Sequence, residues 1–541
     1  MSTTEIPRPR GAVTGRARTG VKVLAATATL ALGLAACSGG PSSTNAVNGG
    51  NGKKSIEATL AFTLSSGFDP ANASSAVATA ANAHIFEGLV DLDPATREPY
   101  LALAKSEPQP SSDGLAWTVQ LRDGAKFSDG TPVTADDVAW SFERILKPED
   151  PAAPPLMQGF IPFIDSVTAK DATTVQFKLK YPFALFKERI SVVKIVPKAK
   201  TGDAAASKAF DTAPIGSGPY KLDSASKESG LKLSKNPNYN GPKPATVDTM
   251  TWNTTTEASA RVADLQGGRV QAIEQVPYLN VDSLKGKYDV EAKQAFNQVF
   301  LMFNASAKPF NDKRVRQALH YAIPTDQVIK TALNGYGSAA TSYLDDGNKS
   351  YQKAATVYDY NPDKAKALLK DAGVTNLSFQ LDTTDNAIVK DVAPLFVEAW
   401  KKVGVNATLN TQPSSAIYGD VVPKDTFRVL AASGDPSVYG SDPDLLLRWF
   451  YYGETWPVKR YRWDAADRKK MSDLLDKAAQ ASDEGSRKDL WKQAVDFAAD
   501  EAVLYPVLHT KVVTAWDKSK LDGFNAAPIT GLYFLGVKRT G

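Results

Sequence analysis

The sequence of 541 residues predicts a mixed α/β protein with about three domains. Segments in which apolar and polar residues alternate predict strands, and segments in which apolar residues recur at helical spacing predict helices. The two kinds of segment are interleaved along the chain, which favours mixed α/β over a helical bundle or a β-sandwich. Residues 55–541 exceed what one hydrophobic core supports, so we expect the chain to divide into domains.

The predicted strands begin near residue 55. Residues 56–62 and 116–121 alternate between apolar and polar side chains, as a half-buried strand does. Residues 376–381 alternate in the same way, and residues 427–431 form a short, mostly apolar run. These four segments are the predicted members of the sheets.

A helix is predicted over residues 134–145. Thr134 can cap its first turn, and Asp136 and Asp137 favour the positive end of the helix dipole. Apolar side chains then recur at helical spacing. Further helical regions are predicted over residues 313–322, 363–371, 386–403 and 467–500.

The N-terminus has the layout of an export signal. Basic residues dominate the first 22 positions, and residues 23–36 are uncharged and apolar. This run is shorter than the roughly 20 residues that span a bilayer as a helix, so a retained anchor is the poorer interpretation. Cys37 follows the run directly, and cleavage before it would leave a thiol free to accept a diacylglycerol. We predict a lipoprotein signal peptide at residues 1–36 with lipidation of Cys37; the alternative is an ordinary secretory signal with an incidental cysteine.

The exported part of the chain is predicted to carry no net charge. The sequence has 63 Lys and Arg against 59 Asp and Glu, and removal of residues 1–36 leaves 58 of each. A basic surface for nucleic acid is therefore not expected. Residues 37–54 are rich in Gly, Ser and Asn, and we predict a flexible tether there.

No catalytic motif is recognisable in the sequence. The sequence has three histidines, at His84, His320 and His509. There is no Gly-x-Ser-x-Gly elbow, no phosphate-binding loop and no His-Glu-x-x-His pair. Paired acids such as Asp136–Asp137 and Asp442–Asp444 occur where helix caps and turns are common. Scattered histidines and one lipid-bearing cysteine are too few for a metal centre. We predict no enzyme activity, no cofactor and no metal site.

Four motifs occur in order along the chain. They are residues 86–89 (Phe-Glu-Gly-Leu), 121–138 (Leu-Arg-Asp-Gly-Ala-Lys-Phe-Ser-Asp-Gly-Thr-Pro-Val-Thr-Ala-Asp-Asp-Val), 216–220 (Gly-Ser-Gly-Pro-Tyr) and 310–319 (Phe-Asn-Asp-Lys-Arg-Val-Arg-Gln-Ala-Leu). By physical chemistry alone, the longest motif joins a strand end, an Asp-Gly turn and a capped helix. Together the motifs closely resemble solute-binding protein family 5, the extracytoplasmic peptide- and nickel-binding components of ABC importers.

The resemblance covers the chain from about residue 55 onward and implies a type II periplasmic-binding-protein clamp. Two lobes would close on a ligand, and an additional domain would be inserted in the first lobe. The implied boundaries are residues 55–90 with 205–300 and 505–541 for lobe I, 91–204 for the inserted domain, and 301–504 for lobe II. The chain would cross between lobes near residues 300–304 and 504–508.

The resemblance also implies ligand-binding residues. In peptide-binding members, an extended peptide pairs its backbone with a short segment on each side of the cleft. Here those segments would be Ser74, Ser75 and Ala76 on one side, and Ala432, Ser433 and Gly434 on the other. Asp435 resembles the aspartate that pairs with the α-ammonium group of the peptide; the alternative is that Asp435 only forms a turn with Pro436.

One departure from the family pattern concerns the wall of the site. Some peptide-binding members have an aromatic residue near the position of Ala432, and in this chain Tyr439 or Trp449 would have to supply ring surface instead. An oligopeptide is therefore the first ligand class, with an oligosaccharide, an opine or a metal chelate as alternatives. The implied partners are ABC permease subunits and the membrane, the latter through Cys37, and the protein is expected to be a monomer. A surface receptor or a secreted hydrolase on the same scaffold is the other class of function.

Overall fold

The computed structural model describes residues 55–150, 154–227 and 230–540. Its strands are β1 Ser55–Leu60, β2 Val90–Leu92, β3 Pro99–Leu101, β4 Gln109–Pro110, β5 Ala116–Gln120, β6 Ile164–Ala169, β7 Thr174–Leu179, β8 Tyr220–Ser226, β9 Gly230–Lys235, β10 Thr249–Thr254, β11 Ala272–Ile273, β12 Asp289–Phe303, β13 Gly337–Ala339, β14 Ser378–Thr384, β15 Asn406–Gln412, β16 Val429–Gly434, β17 Leu504–Trp516, β18 Leu521–Asp522 and β19 Lys538–Arg539.

Helices alternate with these strands, as the sequence predicted. They are α1 Ala76–Ile85, α2 Ala135–Leu146, α3 Phe186–Arg189, α4 Lys198–Thr201, α5 Ala204–Phe210, α6 Ala258–Gln266, α7 Val281–Leu284, α8 Lys313–Tyr321, α9 Thr325–Ala332, α10 Pro362–Asp371, α11 Ala387–Lys401, α12 Ser414–Ala416, α13 Pro443–Tyr451, α14 Ala465–Gln480 and α15 Glu484–Glu501. Short 3-10 turns cover Leu156–Phe160, Ile190–Val192, Tyr278–Asn280 and Pro436–Val438, and π-helical turns cover Ile417–Val421 and Thr455–Arg460. Within the described ranges, no helix combines the length and the apolarity needed to cross a membrane.

One large sheet of eleven strands runs through the described part of the protein. Its strand order is β15-β14-β16-β12-β17-β11-β1-β10-β9-β8, and β13 pairs with β17 beside it. The long strands β12 and β17 pair antiparallel through the middle of this sheet, with a register shift between Gln294 and Gln298. At one end β12 pairs with β16, and at the other end β17 pairs with β11. The chain therefore passes between the two halves of the sheet along these strands, and the exact domain boundaries stay a prediction.

Strand β1 lies inside its half of the sheet, between β10 and β11. Ile56, Ala58 and Leu60 are fully buried, as the alternation of residues 56–62 predicted, but Thr59 is buried as well, so the strand is covered on both faces from Ala58 onward. Ile56, Ala58 and Leu60 belong to one apolar core with Trp252 and Phe534. This core fixes the strand that leads directly into the segment before α1.

The other half is a parallel arrangement around β14. This strand pairs in parallel with β15 on one side and with β16 on the other. Helix α11 covers it and buries Val389, Val392, Phe396 and Trp400. The indole N–H of Trp400 donates to the carbonyl oxygen of Leu319 at 2.8 Å, which joins α11 to α8. Strand β16 therefore lies between β14 and β12 in the sheet.

A separate four-stranded antiparallel sheet has the order β4-β5-β7-β6. Helix α2 packs on it, and the rings of Phe142 and Phe177 meet edge to face at 5.0 Å between centroids. The helix begins with a capping box, because the Thr134 hydroxyl accepts from the backbone N–H of Asp137, whose carboxylate accepts from the N–H of Thr134. The predicted role of Thr134 and Asp137 as a helix cap is confirmed.

Candidate functional site

Strand β16 ends with an edge that has only one strand partner. On one side Ala432, Ser433 and Gly434 pair with Phe300, Val299 and Gln298 of β12. On the other side β14 pairs with β16 only as far as Ala431. Among the described residues, the outer edge of Ala432–Gly434 carries no paired strand. An extended chain can add to an edge of this kind through backbone hydrogen bonds.

Tyr439 brings the two predicted ligand segments together. Its hydroxyl donates to the carbonyl oxygen of Ala73 at 3.1 Å, directly before the segment that begins at Ser74. Ser75 precedes the first residue of α1, Ala76. The segments from residues 74–76 and 432–435 therefore approach the same region through Tyr439.

The backbone of the first segment is already engaged in this conformation. The Ser66 hydroxyl oxygen accepts from the backbone N–H groups of Ser74 at 3.3 Å and Ser75 at 3.1 Å. The carbonyl oxygen of Ser75 accepts from the N–H of Thr79 at 2.8 Å. A peptide that pairs with this segment would have to replace the bonds to the Ser66 hydroxyl.

Asp435 is a carboxylate with one engaged and one unengaged oxygen. Its Oδ1 accepts from the backbone N–H of Ser437 at 3.0 Å and from the Ser437 hydroxyl. Its Oδ2 is shielded from solvent and has no hydrogen-bond partner among the described residues. Burial raises the pKa of Asp435 to about 6, although the hydrogen bonds from Ser437 and the charge of Arg97 act in the opposite direction. Asp435 does form a turn with Pro436, as the alternative held, but the turn leaves Oδ2 free to accept from a donor.

Arg97 borders the same region, and the sequence analysis did not single it out. It lies in the turn between β2 and β3, and its Nη2 donates to the carbonyl oxygen of Ser437 at 2.7 Å. The sequence separation of 340 residues gives no local signal for this contact. The structure places Arg97 in a left-handed turn conformation with a φ of +62°, which usually favours glycine and which the sequence does not indicate.

Two cavities meet at Arg97. The larger has a volume of about 390 Å³, and the smaller has a volume of about 90 Å³. Residues that line the larger cavity include Arg97, Phe296, Asp345, Ser437 and Asp442. Residues that line the smaller cavity include Ala73, Arg97, Tyr439 and Tyr533. Arg97 borders both cavities, as do Leu92 and Ile529.

A cluster of aromatic rings lies next to the end of β16. Tyr439, Trp449 and Phe160 surround one another, with centroid distances of 5.6 to 5.7 Å. A side-chain carbon at Gly434 would lie 3.0 Å from the ring of Phe450, so the strand end is packed closely against aromatic surface. Tyr439 borders the smaller cavity, and its role as a ligand-binding residue stays a prediction. Trp449 packs against the core and does not line either cavity among the residues described there.

The histidines and paired acids have structural environments. Burial lowers the pKa of His84 to about 4 and that of His320 to about 3, so both are neutral in the core at physiological pH. Asp442 caps α13, and Asp444 forms buried ion pairs with Arg189 and Arg448. In the described part of the chain, no three His, Cys, Asp or Glu side chains form a group that could hold a metal ion.

Known proteins resemble this chain along most of its length. Residues 98–457 match the family described as bacterial extracellular solute-binding proteins, family 5 Middle. The glutathione-binding protein GsiB of Escherichia coli O1:K1 is 29% identical over 478 residues, which cover 86% of this chain and 91% of that protein.

Solved structures share the fold. The dipeptide-binding protein of Pseudoalteromonas sp. SM9913, in complex with Met-Leu, has a TM-score of 0.80 at 20% identity, covering 90% of this chain and 100% of that one. The DppA protein of Helicobacter pylori, in complex with the peptide STSA, has a TM-score of 0.79 at 25% identity, covering 91% and 99%.

The chain belongs to the bacterial extracellular solute-binding proteins, family 5. It is a substrate-binding protein of the kind that serves ABC importers. The predicted family and the predicted α/β two-lobed clamp with an inserted domain are confirmed. The predictions of lipidation at Cys37, a signal peptide at 1–36 and a tether at 37–54 concern residues outside those that the structure describes.

Proposed function

We propose that the protein captures an oligopeptide outside the cytoplasm and delivers it to an ABC permease. The observation that carries this proposal is the Oδ2 atom of Asp435, which is buried, has no hydrogen-bond partner in the described ranges, and lies beside the unpaired edge of β16. A free α-ammonium group would form a charge-assisted hydrogen bond with it, while the peptide backbone pairs with Ala432–Gly434. Ser74–Ala76 would contact the same peptide from the other side, next to Tyr439.

Closure of the clamp gives the permease a signal of occupancy. A ligand that touches both lobes binds the closed form more tightly than the open form, so it shifts the population toward closure. No chemical change of the ligand is needed. This mechanism is compatible with a cleft lined by charged and aromatic side chains such as Arg97, Asp345 and Tyr439.

Native mass spectrometry of the purified protein tests the ligand class. We expect bound species whose masses correspond to short peptides, released intact on denaturation. If the bound species is a sugar, an opine or a metal chelate, the ligand belongs to one of the alternative classes and is not a peptide. A chemically altered ligand after incubation would contradict a transport role and favour a hydrolase.

The affinity for a peptide should fall in acid. Asp435 must be ionised to hold an ammonium group, and its pKa of about 6 means that protonation removes the partner below that pH. Burial also raises the pKa of Asp345, so protonation of Asp345 in acid would remove a second negative charge from the cleft. Arg97 keeps its positive charge over this pH range. Tyr439 and Tyr533 stay protonated because burial raises their pKa values further. Calorimetry should show binding about tenfold weaker at pH 5 than at pH 7.

The pH dependence has a built-in control. The variant Asp435→Asn cannot titrate at this position, so its remaining affinity should change less between pH 7 and pH 5. An affinity for the unaltered protein that stays constant or rises in acid would show that Asp435 does not hold a cation.

We further propose that the protein is anchored to the outer face of the cell membrane through lipid on Cys37. Two acyl chains anchor a protein stably where one chain does so only marginally. The variant Cys37→Ser should lose incorporation of labelled fatty acid and move from the membrane fraction to the soluble exported fraction. Unchanged membrane association of Cys37→Ser would favour an ordinary secretory signal with another means of attachment.

A further inference from the structure

A third cavity lies apart from the cleft and has a volume of about 350 Å³. It shares no lining residue with the two cavities that Arg97 borders. Helix α9, the loop of residues 357–360 and strand β17 form parts of its wall. A cavity of this size falls within the range that holds small molecules in proteins. The proposed capture of a peptide in the cleft makes no use of it.

The strand that connects the two halves of the large sheet forms one side of this cavity. Pro506 and Val507 of β17 line it, and Pro506 lies opposite Phe300 of β12 in the register of the sheet. Strand β13 pairs with β17 only as far as Ala339, and the N–H of Ala340 then donates to the carbonyl oxygen of Val507 at 3.1 Å. The cavity therefore lies where β13 ends beside β17.

Aromatic side chains line the same cavity. The ring of Tyr358 stacks on that of His320, with 4.8 Å between centroids and an interplanar angle of 28°. Tyr360 also lines the cavity, and 48% of its surface is exposed. His320 is 2% exposed, and its Nε2 has no hydrogen-bond partner among the described residues. The cavity thus combines ring surface with a buried imidazole that has an unused polar atom.

Two carboxylates make this cavity negative. Asp326, in the first turn of α9, and Asp359 both line it and are exposed. No lysine or arginine of the described chain forms an ion pair with either carboxylate, and none is among the described residues that line the cavity. His320 adds no positive charge, because burial lowers its pKa to about 3. At neutral pH the lining therefore carries two negative charges without a compensating cation.

We propose that this cavity is a second ligand site, separate from the cleft, for a small organic cation that carries an ammonium group on an apolar or aromatic body. The ammonium group would lie beside Asp326 and Asp359, and the apolar body would contact the rings of Tyr358 and Tyr360. Carboxylates form charge-assisted hydrogen bonds with an ammonium group, and the faces of aromatic rings attract cations. This inference goes beyond the proposed function and does not depend on it.

Calorimetry with three probes of similar size tests the proposal. At neutral pH phenethylamine is a cation, phenethyl alcohol is neutral and phenylacetate is an anion. The titrations use Asp435→Asn as well as the unaltered protein, so that the Asp435 carboxylate in the cleft cannot account for a preference for the amine. In both proteins phenethylamine should bind about 5- to 30-fold more tightly than phenethyl alcohol, and phenylacetate should bind most weakly. The preference should decrease at high salt, because the two carboxylates are exposed.

A double variant tests whether the amine binds in this cavity. Asp326→Asn combined with Asp359→Asn should reduce the preference for phenethylamine over phenethyl alcohol to about twofold or less, because both charges are removed. The matched control combines Asp282→Asn with Asp420→Asn, since these acids are exposed and line neither this cavity nor the cleft. Thermal melting shows whether each variant is folded. If the double variant is not, the two single variants decide the question, and each should lose part of the preference.

Four results would overturn the inference. Failure of phenethylamine to bind would exclude a site for this class of ligand, and equal affinity for phenethylamine and phenethyl alcohol would exclude recognition of the charge. A preference for the amine that disappears in Asp435→Asn would place the amine in the cleft. An equal preference in the double variant and its control would show that Asp326 and Asp359 do not hold the ammonium group. None of these results contradicts the proposed capture of a peptide, which mass spectrometry tests separately.

Discussion

Asp435→Asn will weaken the binding of a short peptide by about 10- to 100-fold and will not destabilise the protein. The asparagine keeps the shape and the acceptor for the Ser437 N–H, but it has no charge for the α-ammonium group. Stability should stay the same or rise at pH 7. Because the pKa of Asp435 is raised to about 6 in the folded protein, its ionisation above that pH opposes folding, and asparagine removes this effect.

Affinity and stability therefore change in different directions, which distinguishes a binding residue from a structural one. Calorimetry measures the first and chemical denaturation at pH 7 the second. Asp420→Asn is the control, because Asp420 is exposed on the short turn Ile417–Val421. Unchanged peptide affinity in Asp435→Asn would show that Asp435 does not bind the ligand. A loss of stability would show that Asp435 serves mainly to form the turn with Pro436.

Asp444→Asn should produce the largest loss of stability, about 3 to 5 kcal/mol. The Asp444 carboxylate contacts Arg189 Nη1 at 3.1 Å and Arg448 Nε at 2.9 Å, and all three side chains are buried. Neutralising it leaves two buried cations with less negative charge between them. The same contacts join α3 to α13, whose capping residue Asp442 also pairs with Arg189 and lines the larger cavity.

The comparison variant is Asp473→Asn. Asp473 pairs with Lys469 on the surface of α14, and an exposed pair of this kind contributes about 0 to 1 kcal/mol. Denaturation followed by both tryptophan fluorescence and circular dichroism checks that the transitions coincide, which a two-state value requires. If Asp444→Asn lowers the free energy of unfolding by no more than Asp473→Asn does, the ion pairs of Asp444 do not have the stabilising role described here.

The sequence predicted secondary-structure elements accurately where the burial of side chains follows a local pattern of apolar and polar residues. Strand β5 and helix α2 were predicted to within one residue, because alternation and a capping threonine are local signals. The helical region at 467–500 is instead two helices, α14 and α15. Asp483 is the N-cap of α15, because its carboxylate accepts from the N–H of Ser486 at 2.7 Å, and this cap marks the start of a second helix.

The site was only partly predictable. Asp435 and Tyr439 were predicted from the resemblance to the family, and their buried, converging positions agree with that prediction without testing it. The bonds from the Ser66 hydroxyl to Ser74 and Ser75 come from a loop with no recognisable pattern. Arg97 meets Ser437 across 340 residues, and contacts of this range follow from the tertiary fold, not from composition or spacing.

Small-angle X-ray scattering with and without a peptide identified by mass spectrometry tests most directly whether the two lobes close on a captured solute. Closure predicts a smaller radius of gyration for the saturated protein, and the change should disappear in Asp435→Asn at peptide concentrations that saturate only the unaltered protein. An unchanged radius of gyration at full saturation would contradict capture by closure.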